Sequence, residues 1–395
     1  MLGHVDPKKW LSSATDKVSD VVRSPDTAKK VSGLESKYAD HRRSQKLAEG
    51  TLRGVSVAVH RGWVADGVAR IQARVIEAPK LPEGASKIPY WDVLNANLRR
   101  HVRLSFPDVP VRATLGTHSA EGRTDSHGYA SIHLEVGALK PGWHEVTVTT
   151  IPAKDGDEAF SAVGRVLVPS PKAKVAVVSD IDDTVIRTGL DEGMVAIRRT
   201  LFRDAHTRRA VPGMASLYRG LERGVATRSG NTPPAPGFFY VSTGSWSFYE
   251  MLTQFLQLRG YPRGPLFLTD WGPTDRYIHR SGEQHKKLAL SRLVSAFPTT
   301  PFLLIGDSGQ KDPDIYLEFA RDNPGATKAI IIMKASDSST ERTDELKSDS
   351  VGYREEGIPF HVCDDAMAAA RVLHDLKLVD DITLVEVETE LGAVF

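Results

Sequence analysis

The chain has 395 residues, 41% of them hydrophobic and 26% charged, which suits a globular protein of two or more domains with a sizeable core. The formal net charge of +1 gives no bulk electrostatic reason to bind nucleic acid, and a single cysteine, Cys363, excludes an intrachain disulfide and any cysteine-based metal cluster. No run approaches the ~20 apolar residues that span a bilayer, and Met1 to Pro7 has no apolar signal region, so a cytoplasmic protein in a reducing compartment is expected.

Residues 1–50 read as a polar helical segment broken at Pro25. Trp10, Leu11, Ala14, Val18, Val21 and Val22 share one helical face, with Lys9, Asp16, Asp20 and Arg23 opposite. That stripe suits packing on a domain, and peripheral contact with a membrane is the rival use. The mixed charge of the polar face weakens the case for anionic lipid.

Over 51–170 the pattern changes to short alternating runs: 55–59, 68–75, 130–134 and 145–149. They predict a small antiparallel β-sandwich, with Asp125-Ser126-His127-Gly128 as a hairpin turn and Gly128 at its φ > 0 position. The segment resembles the immunoglobulin-like or transthyretin-like modules attached to many enzymes. His127 and His133 lack the further ligands of a metal site and read as surface or packing residues. The sequence names no protein partner for this module. Pro169-Ser170-Pro171-Lys172 reads as a linker.

From 171 to 375 strand and helix patterns alternate, predicting a parallel sheet with helices on both faces and strands near 174–179, 238–242, 265–269, 302–306 and 328–333. Asp180-Ile181-Asp182-Asp183-Thr184 ends the first strand. Side chains at i and i+2 share a face, so Asp180 and Asp182 can converge on one substrate as nucleophile and general acid while Ile181 enters the core. Helix capping is the bland reading of the same acids.

An insertion at 190–209 reads as a small cap, in which Met194, Ile197 and Leu201 form an apolar stripe and Arg198, Arg199 and Arg203 project away. Arginine forks there, with Arg187 and Trp246, are candidates for a phosphorylated headgroup; a solvated helix face is the alternative. The second strand runs into Ser242-Thr243-Gly244, where a hydroxyl of Ser242 or Thr243 and the following N–H groups can donate to phosphoryl oxygens. Trp246, Phe248 and Tyr249 read either as an apolar substrate entrance or as core. A lysine of Lys286-Lys287 can neutralise phosphoryl charge. Gly306-Asp307-Ser308-Gly309-Gln310-Lys311-Asp312-Pro313 supplies two acids for a divalent cation, and an open carboxylate site suits Mg²⁺. Residues 376–395 read as a tail without chemistry.

Through the DIDDT run, the 242–246 turn, His285-Lys286 and the Gly306 to Pro313 run, in this order, the chain resembles the haloacid dehalogenase superfamily of phosphotransferases. Within it, residues from about 172 to 333 resemble the actin-patch-associated phosphatidate phosphatase family. That resemblance implies a Rossmann-like α/β domain with a small cap, Asp180 as nucleophile and metal ligand, and Asp182 as acid/base with its main-chain carbonyl on the metal. Thr184 would orient the loop, Ser242 or Thr243 and Gly244 would bind phosphate, and Lys286 would bridge nucleophile and phosphate. Asp307 would complete a Mg²⁺ site supported by Asp312.

The implied activity is Mg²⁺-dependent cleavage of phosphatidate to diacylglycerol through an aspartyl-phosphate. Two rivals stand beside it: a phosphatase of a soluble phosphomonoester such as a sugar phosphate or nucleic-acid 3′-phosphate, and a non-catalytic lipid- or protein-binding module. Where characterised members carry Ser-Asn-Ser-Pro-Trp or similar, this chain has Ser242-Thr243-Gly244-Ser245-Trp246.

Overall fold

The computed structural model describes residues 45, 49, 54–78, 104–152, 158–187, 210–225, 234–269, 282–335 and 338–393. The Trp10 to Val22 helical face, the insertion at 190–209 and its Arg198 and Arg199 lie outside the described residues.

The first sheet holds β1 (Val55–Val59), β2 (Gly62–Ala65), β3 (Val68–Glu77), β4 (Pro110–Leu115), β5 (His118–Arg123), β6 (Tyr129–Glu135), β7 (Gly142–Thr150) and β8 (Ser161–Val168). Every second residue of β3, Ala69, Ile71, Ala73 and Val75, is buried together with Val111 and Ala113 of β4, Ile132 and Leu134 of β6, and Val146 and Val148 of β7. This is the period of two that the sequence carries.

Two details differ from the expected sandwich. All eight strands are linked in one hydrogen-bonded sheet, and the β2/β8 pair is parallel, with Gly62 opposite Val166 and Trp63 opposite Leu167. The sheet closes over its own core because β1 packs on β8 and β5 on β6. The Asp125–Gly128 turn is also not a hairpin. It joins β5, which pairs with β4, to β6, which pairs with β3. The Asp125 carboxylate accepts from the N–H groups of His127 and Tyr129, shaping the turn without a ladder between its flanking strands. Gly128 does take positive φ, at 77°.

The second sheet is parallel throughout and runs β11 (Leu266–Thr269), β10 (Phe238–Ser245), β9 (Ala176–Asp180), β12 (Phe302–Asp307), β13 (Thr327–Met333), β14 (Phe360–Cys363). In chain order within this unit that is 3-2-1-4-5-6, a doubly wound arrangement that reverses direction between β9 and β12. Strands buried on both faces need apolar residues at consecutive positions, and β9 and β12 have them. Val177, Leu303 and Ile305 face one side, under α1 (Met214–Arg223), α2 (Tyr249–Leu258), α6 (Ala366–Asp375) and α7 (Asp381–Gly392). Ala176, Val178 and Leu304 face the other, under α3 (Gly282–Ala296) and α4 (Asp312–Asp322). The strand at 360–363 and α5 (Thr340–Glu355) complete the unit.

The expected tail at 376–395 is instead an integral part of this packing through α7. Val387 is buried against α1, and α1 approaches α7 so closely at Gly220 that a Cβ there would overlap the Thr383 side chain. Arg223 of α1 bonds Asp380 and Glu386, each at 3.2 Å. Asp380 caps α7 by accepting from Thr383 N–H at 2.9 Å.

The two sheets share a core. Trp63 and Ala65 of β2 and Leu167 of β8 join the apolar layer on the α3 side, where the Trp63 ring lies 5.6 Å from Phe297 and 6.3 Å from Phe267.

Candidate active site

The C-terminal ends of β9 and β12 meet at the point where strand order reverses, the crevice in which open α/β sheets bind ligands. Asp180 ends β9 and Asp307 ends β12, and both are fully buried. Asp312 opens α4 just after the β12 turn. One carboxylate oxygen from each of Asp180, Asp307 and Asp312 lies within 4.8 Å of the others.

Lys286, in the first turns of α3, projects into this cluster with its side chain only 3% exposed. Its Nζ is 2.7 Å from Asp180 Oδ1 and donates to Asp312 Oδ1. Lys287 points away to Glu283 and Glu318 on the surface. Helical geometry forces that division, because neighbouring residues lie about 100° apart around the axis.

The loop after β9 is tight. Val185 and Ile186 donate to Ile181 O at 2.9 and 3.0 Å, Asp183 N–H donates to Ile186 O at 2.8 Å, and Asp183 holds a positive φ of 56°. Ile181 is buried in the core, as its alternation with Asp180 and Asp182 implies. Thr184 is fully buried inside the same loop. The Asp182 carboxylate turns to β10, where its Oδ2 accepts from Ser242 Oγ at 2.9 Å. Its side chain therefore stands outside the three-carboxylate group.

Ser242 Oγ also accepts from Gly244 N–H at 2.9 Å. Thr269 of β11 steadies the same turn by donating to Thr243 O at 2.8 Å and to Gly244 O at 3.1 Å. Of the two candidate hydroxyls, Ser242 is the one tied to Asp182. Asp307 Oδ1 accepts from the N–H groups of Gly309 and Gln310 at 2.7 and 3.0 Å, so the glycine-flanked turn folds around its own carboxylate.

Gly306 makes room for this. A Cβ at 306 would lie 2.7 Å from Asp312 Cβ and overlap its carboxylate.

The electrostatics are those of an anionic pocket short of positive charge. Burial, together with Asp312, Asp182 and Asp307, pushes the Asp180 pKa well above the usual carboxylate range against the pull of Lys286. Burial and Asp312 push Asp307 up to about 7. Burial works against the Lys286 ammonium, but its two carboxylate partners more than offset this and raise its pKa. The opposite demands fit together: Lys286 faces two acids, whereas Asp180 faces one cation and three other acids.

Asp180 Oδ2 and Asp307 Oδ2 are buried and have no hydrogen-bond partner among the described residues. An all-oxygen donor set with spare lone pairs and excess negative charge fits a small hard divalent cation such as Mg²⁺.

Comparison with known proteins bears on this site. Residues 175–334 match the family model described as phosphatidate phosphatase APP1, catalytic domain. That segment is similar to the APP1 catalytic domain. The APP1-type segment contains every residue of the cluster: Asp180, Asp182, Ser242, Lys286, Asp307 and Asp312.

Phosphatidate phosphatase APP1 of Saccharomyces cerevisiae (strain ATCC 204508 / S288c) is 28% identical over 259 residues, covering 63% of this chain and 42% of that protein. Uncharacterized protein C29B5.04c of Schizosaccharomyces pombe (strain 972 / ATCC 24843) is 24% identical over 159 residues, 40% of this chain and 25% of that protein. The chain thus spans less than half the length of these curated relatives. Among solved structures, XAC1771, a carbohydrate acetylesterase from Xanthomonas citri, aligns at a TM-score of 0.24 with 11% identity over 79% of this chain and 72% of that one. A likeness so low carries no argument.

Of the remaining sequence candidates, Arg187 is exposed just after the β9 loop. Trp246, Phe248 and Tyr249 do not form an open entrance. Phe248 and Tyr249 are buried in the core, and the half-buried Trp246 ring is stacked on His60. His127 is half-buried and His133 exposed.

Sequence reasoning missed the support beneath Asp180. Ser179 Oγ donates to Asp180 O at 2.6 Å and pairs with Tyr218 Oη at 2.7 Å in a fully buried link to α1. No motif marks it, because Tyr218 lies far along the chain.

Proposed function

We propose that this protein is a Mg²⁺-dependent phosphatidate phosphatase of the haloacid dehalogenase type, cleaving phosphatidate to diacylglycerol and phosphate through an aspartyl-phosphate. The observation that carries the reading is the convergence of Asp180, Asp307, Asp312 and Lys286 at the sheet's switch point, within the APP1-type segment. The parallel-sheet unit from about residue 171 supplies the chemistry, and residues 51–170 support it.

Asp180 is assigned as the nucleophile. Its carboxylate oxygen attacks phosphorus, the bond from phosphorus to the glycerol oxygen breaks, and Asp182 gives its proton to the departing alkoxide. Asp182, now a carboxylate, takes a proton from water as that water attacks phosphorus. The bond to Asp180 then breaks and inorganic phosphate leaves. Ser242 holds Asp182 in reach through its 2.9 Å hydrogen bond, and the Ser242-Gly244 turn is assigned to the phosphoryl group.

Lys286 holds Asp180 in place and offers positive charge to the transferring group. Asp180 and Asp307, with Asp312 behind them, would hold a divalent cation, which would supply electrostatic stabilisation of the phosphoryl charge. Thr184, buried in the loop, keeps Asp182 and Asp180 in register. Phosphate monoester hydrolysis is among the slowest uncatalysed reactions, so these effects are needed together.

The test is phosphate release with Mg²⁺ or EDTA from phosphatidate in mixed micelles and from a panel of soluble phosphomonoesters. Metal-dependent release from phosphatidate is expected. Release from soluble esters alone would keep the chemistry and discard the lipid. No release from any substrate would leave the binding-module reading.

A further inference from the structure

His60 belongs to the N-terminal sheet and lies outside the APP1-type segment, yet it is buried against the turn that follows the candidate phosphate loop. It occupies the break between β1 and β2, the two short strands that pair in succession along one edge of β3. Its backbone is pinned there: His60 N–H donates to Gln72 O at 2.8 Å, and Gly62 passes so close to Arg70 O that no larger residue fits. A loop fixed in this way presents its side chain as a rigid element.

The imidazole is 2% exposed and lies parallel to the Trp246 ring, with centroids 4.9 Å apart and planes 3° apart. Tyr249, the first residue of α2, lies 4.1 Å away, centroid to centroid, and its hydroxyl accepts from Arg61 N–H at 2.5 Å. Burial, with Arg74 nearby, lowers the His60 pKa to about 3, so the stacked ring is neutral. Trp246 directly follows Ser245, the last residue of β10, and the ladder between β10 and β11 is irregular between Val241 and Ser245. The Ser242-Gly244 turn is therefore outside regular sheet pairing and depends on other contacts.

The contacts that anchor it include Ser242 to Asp182, Thr269 to the carbonyls of Thr243 and Gly244, and the His60 stack on Trp246 at its exit. The first two come from the catalytic unit, and the third comes from the other sheet.

We propose that His60 is a positioning residue, through which the N-terminal β-sheet holds the Ser242-Gly244 phosphate turn in its working geometry by stacking on Trp246. The proposal rests on the phosphate-binding role assigned to that turn. A displaced turn weakens phosphoryl binding and the alignment of Asp182, while the Asp180-Lys286-Asp307-Asp312 cluster, on other elements, is undisturbed.

The test uses the full chain and compares His60→Ala, His60→Phe, Tyr249→Phe and Asp180→Asn by hydrogen exchange and by kinetics on the best phosphomonoester, with inorganic phosphate as product inhibitor. His60→Ala is expected to speed deuterium uptake over the peptide spanning 238–249. It should also raise KM and the phosphate inhibition constant about tenfold, within the range that small misplacements of catalytic groups cost. His60→Phe keeps the stack and should restore both readings. Tyr249→Phe loses the Arg61 contact, folds without a cavity at 60 and should give an intermediate uptake, which keeps the test sharp even if His60→Ala folds poorly.

Unchanged uptake at 238–249 in both His60→Ala and Tyr249→Phe would overturn the proposal, as would no rescue by His60→Phe. A wild type inactive on every ester would defeat the phosphatase reading alone, since hydrogen exchange still reports whether His60 holds the turn. Asp180→Asn should abolish turnover with wild-type uptake, separating loss of chemistry from loss of positioning.

Discussion

Lys286 Nζ lies 2.7 Å from Asp180 Oδ1 in a pocket where both side chains are at most 3% exposed. A buried ammonium with two carboxylate partners cannot be removed without leaving charge stranded. Lys286→Met should therefore lower phosphate release by at least about a hundredfold. It should also cost about 3 to 5 kcal/mol of stability in the metal-free protein, less where bound cation compensates. Lys287→Met, on the neighbouring residue, should leave activity within about twofold, as expected for a surface ion pair. Kinetics and urea unfolding of the two variants with and without Mg²⁺ check both statements; equal effects would contradict the distinction.

Gly306 is the least obvious residue the cluster requires. Gly306→Ala places a methyl against the Asp312 carboxylate and Tyr316. Overpacking of this kind costs about 1 to 3 kcal/mol. The displaced Asp312 should weaken the Mg²⁺ requirement's apparent affinity more than it weakens substrate KM, read from Mg²⁺ titrations of activity. A normal Mg²⁺ titration would show that Asp312 tolerates the shift.

His60 sets a pH limit on the fold. Its pKa is lowered in the folded protein, mainly by burial and then by Arg74, while Trp246, Tyr249 and Tyr129 pack around it as neutral rings. The unfolded chain therefore binds more protons than the folded one between about 6.5 and about 3. Stability from this group is fully present above the unfolded value and falls as pH drops through that window. At about pH 5 the loss is about 2 kcal/mol. The stability difference between wild type and His60→Phe should shift by that amount between about pH 7.5 and pH 5. A constant difference would contradict the burial of a neutral imidazole.

Glu390, near the end of the chain, caps a helix far from it in sequence. Its carboxylate accepts from Gly213 N–H at 3.1 Å, Ser216 N–H at 3.0 Å and Ser216 Oγ at 2.6 Å at the start of α1, whose own N-cap, Gly213, has no side chain to do so. Glu390→Ala should cost about 1 to 2 kcal/mol, the usual loss for a helix cap. The denaturation midpoint measures it, and an unchanged midpoint would mean that water replaces the carboxylate at no cost.

The strands carrying Asp180, Ser242 and Asp307 were legible because burial on both faces demands uninterrupted apolar runs, and Val175 to Val178, Phe238 to Val241 and Phe302 to Ile305 supply them. The acids were legible because they follow such runs closely, and Lys286 because it stands near the start of a helical pattern. The strand at 360–363 was not expected, since four residues after Gly357 carry too little pattern. Nor was β5, His118–Arg123, whose residues are mostly exposed and hold their place by pairing with β4 rather than by apolar alternation. The choice between Lys286 and Lys287 needed the rotation of α3 about its axis. His60, Tyr218 and Glu390 were invisible for a common reason: each acts across 39 or more residues of sequence, on a partner that no local spacing identifies.

The most direct test of the central claim is to trap the phosphoryl group. Asp182→Asn retains the Asp180 carboxylate but removes the group assigned both to protonate the leaving alkoxide and to activate water, so with an aryl phosphate, whose leaving group departs without a proton, the aspartyl-phosphate should accumulate. The variant is mixed with an aryl phosphate and Mg²⁺, quenched in acid, digested and mapped by mass spectrometry. The expected result is one phosphoryl group on Asp180, absent from the Asp180→Asn/Asp182→Asn double variant. A phosphoryl group on another residue, or phosphate release by Asp180→Asn at the wild-type rate, would contradict the assignment of Asp180 as the nucleophile.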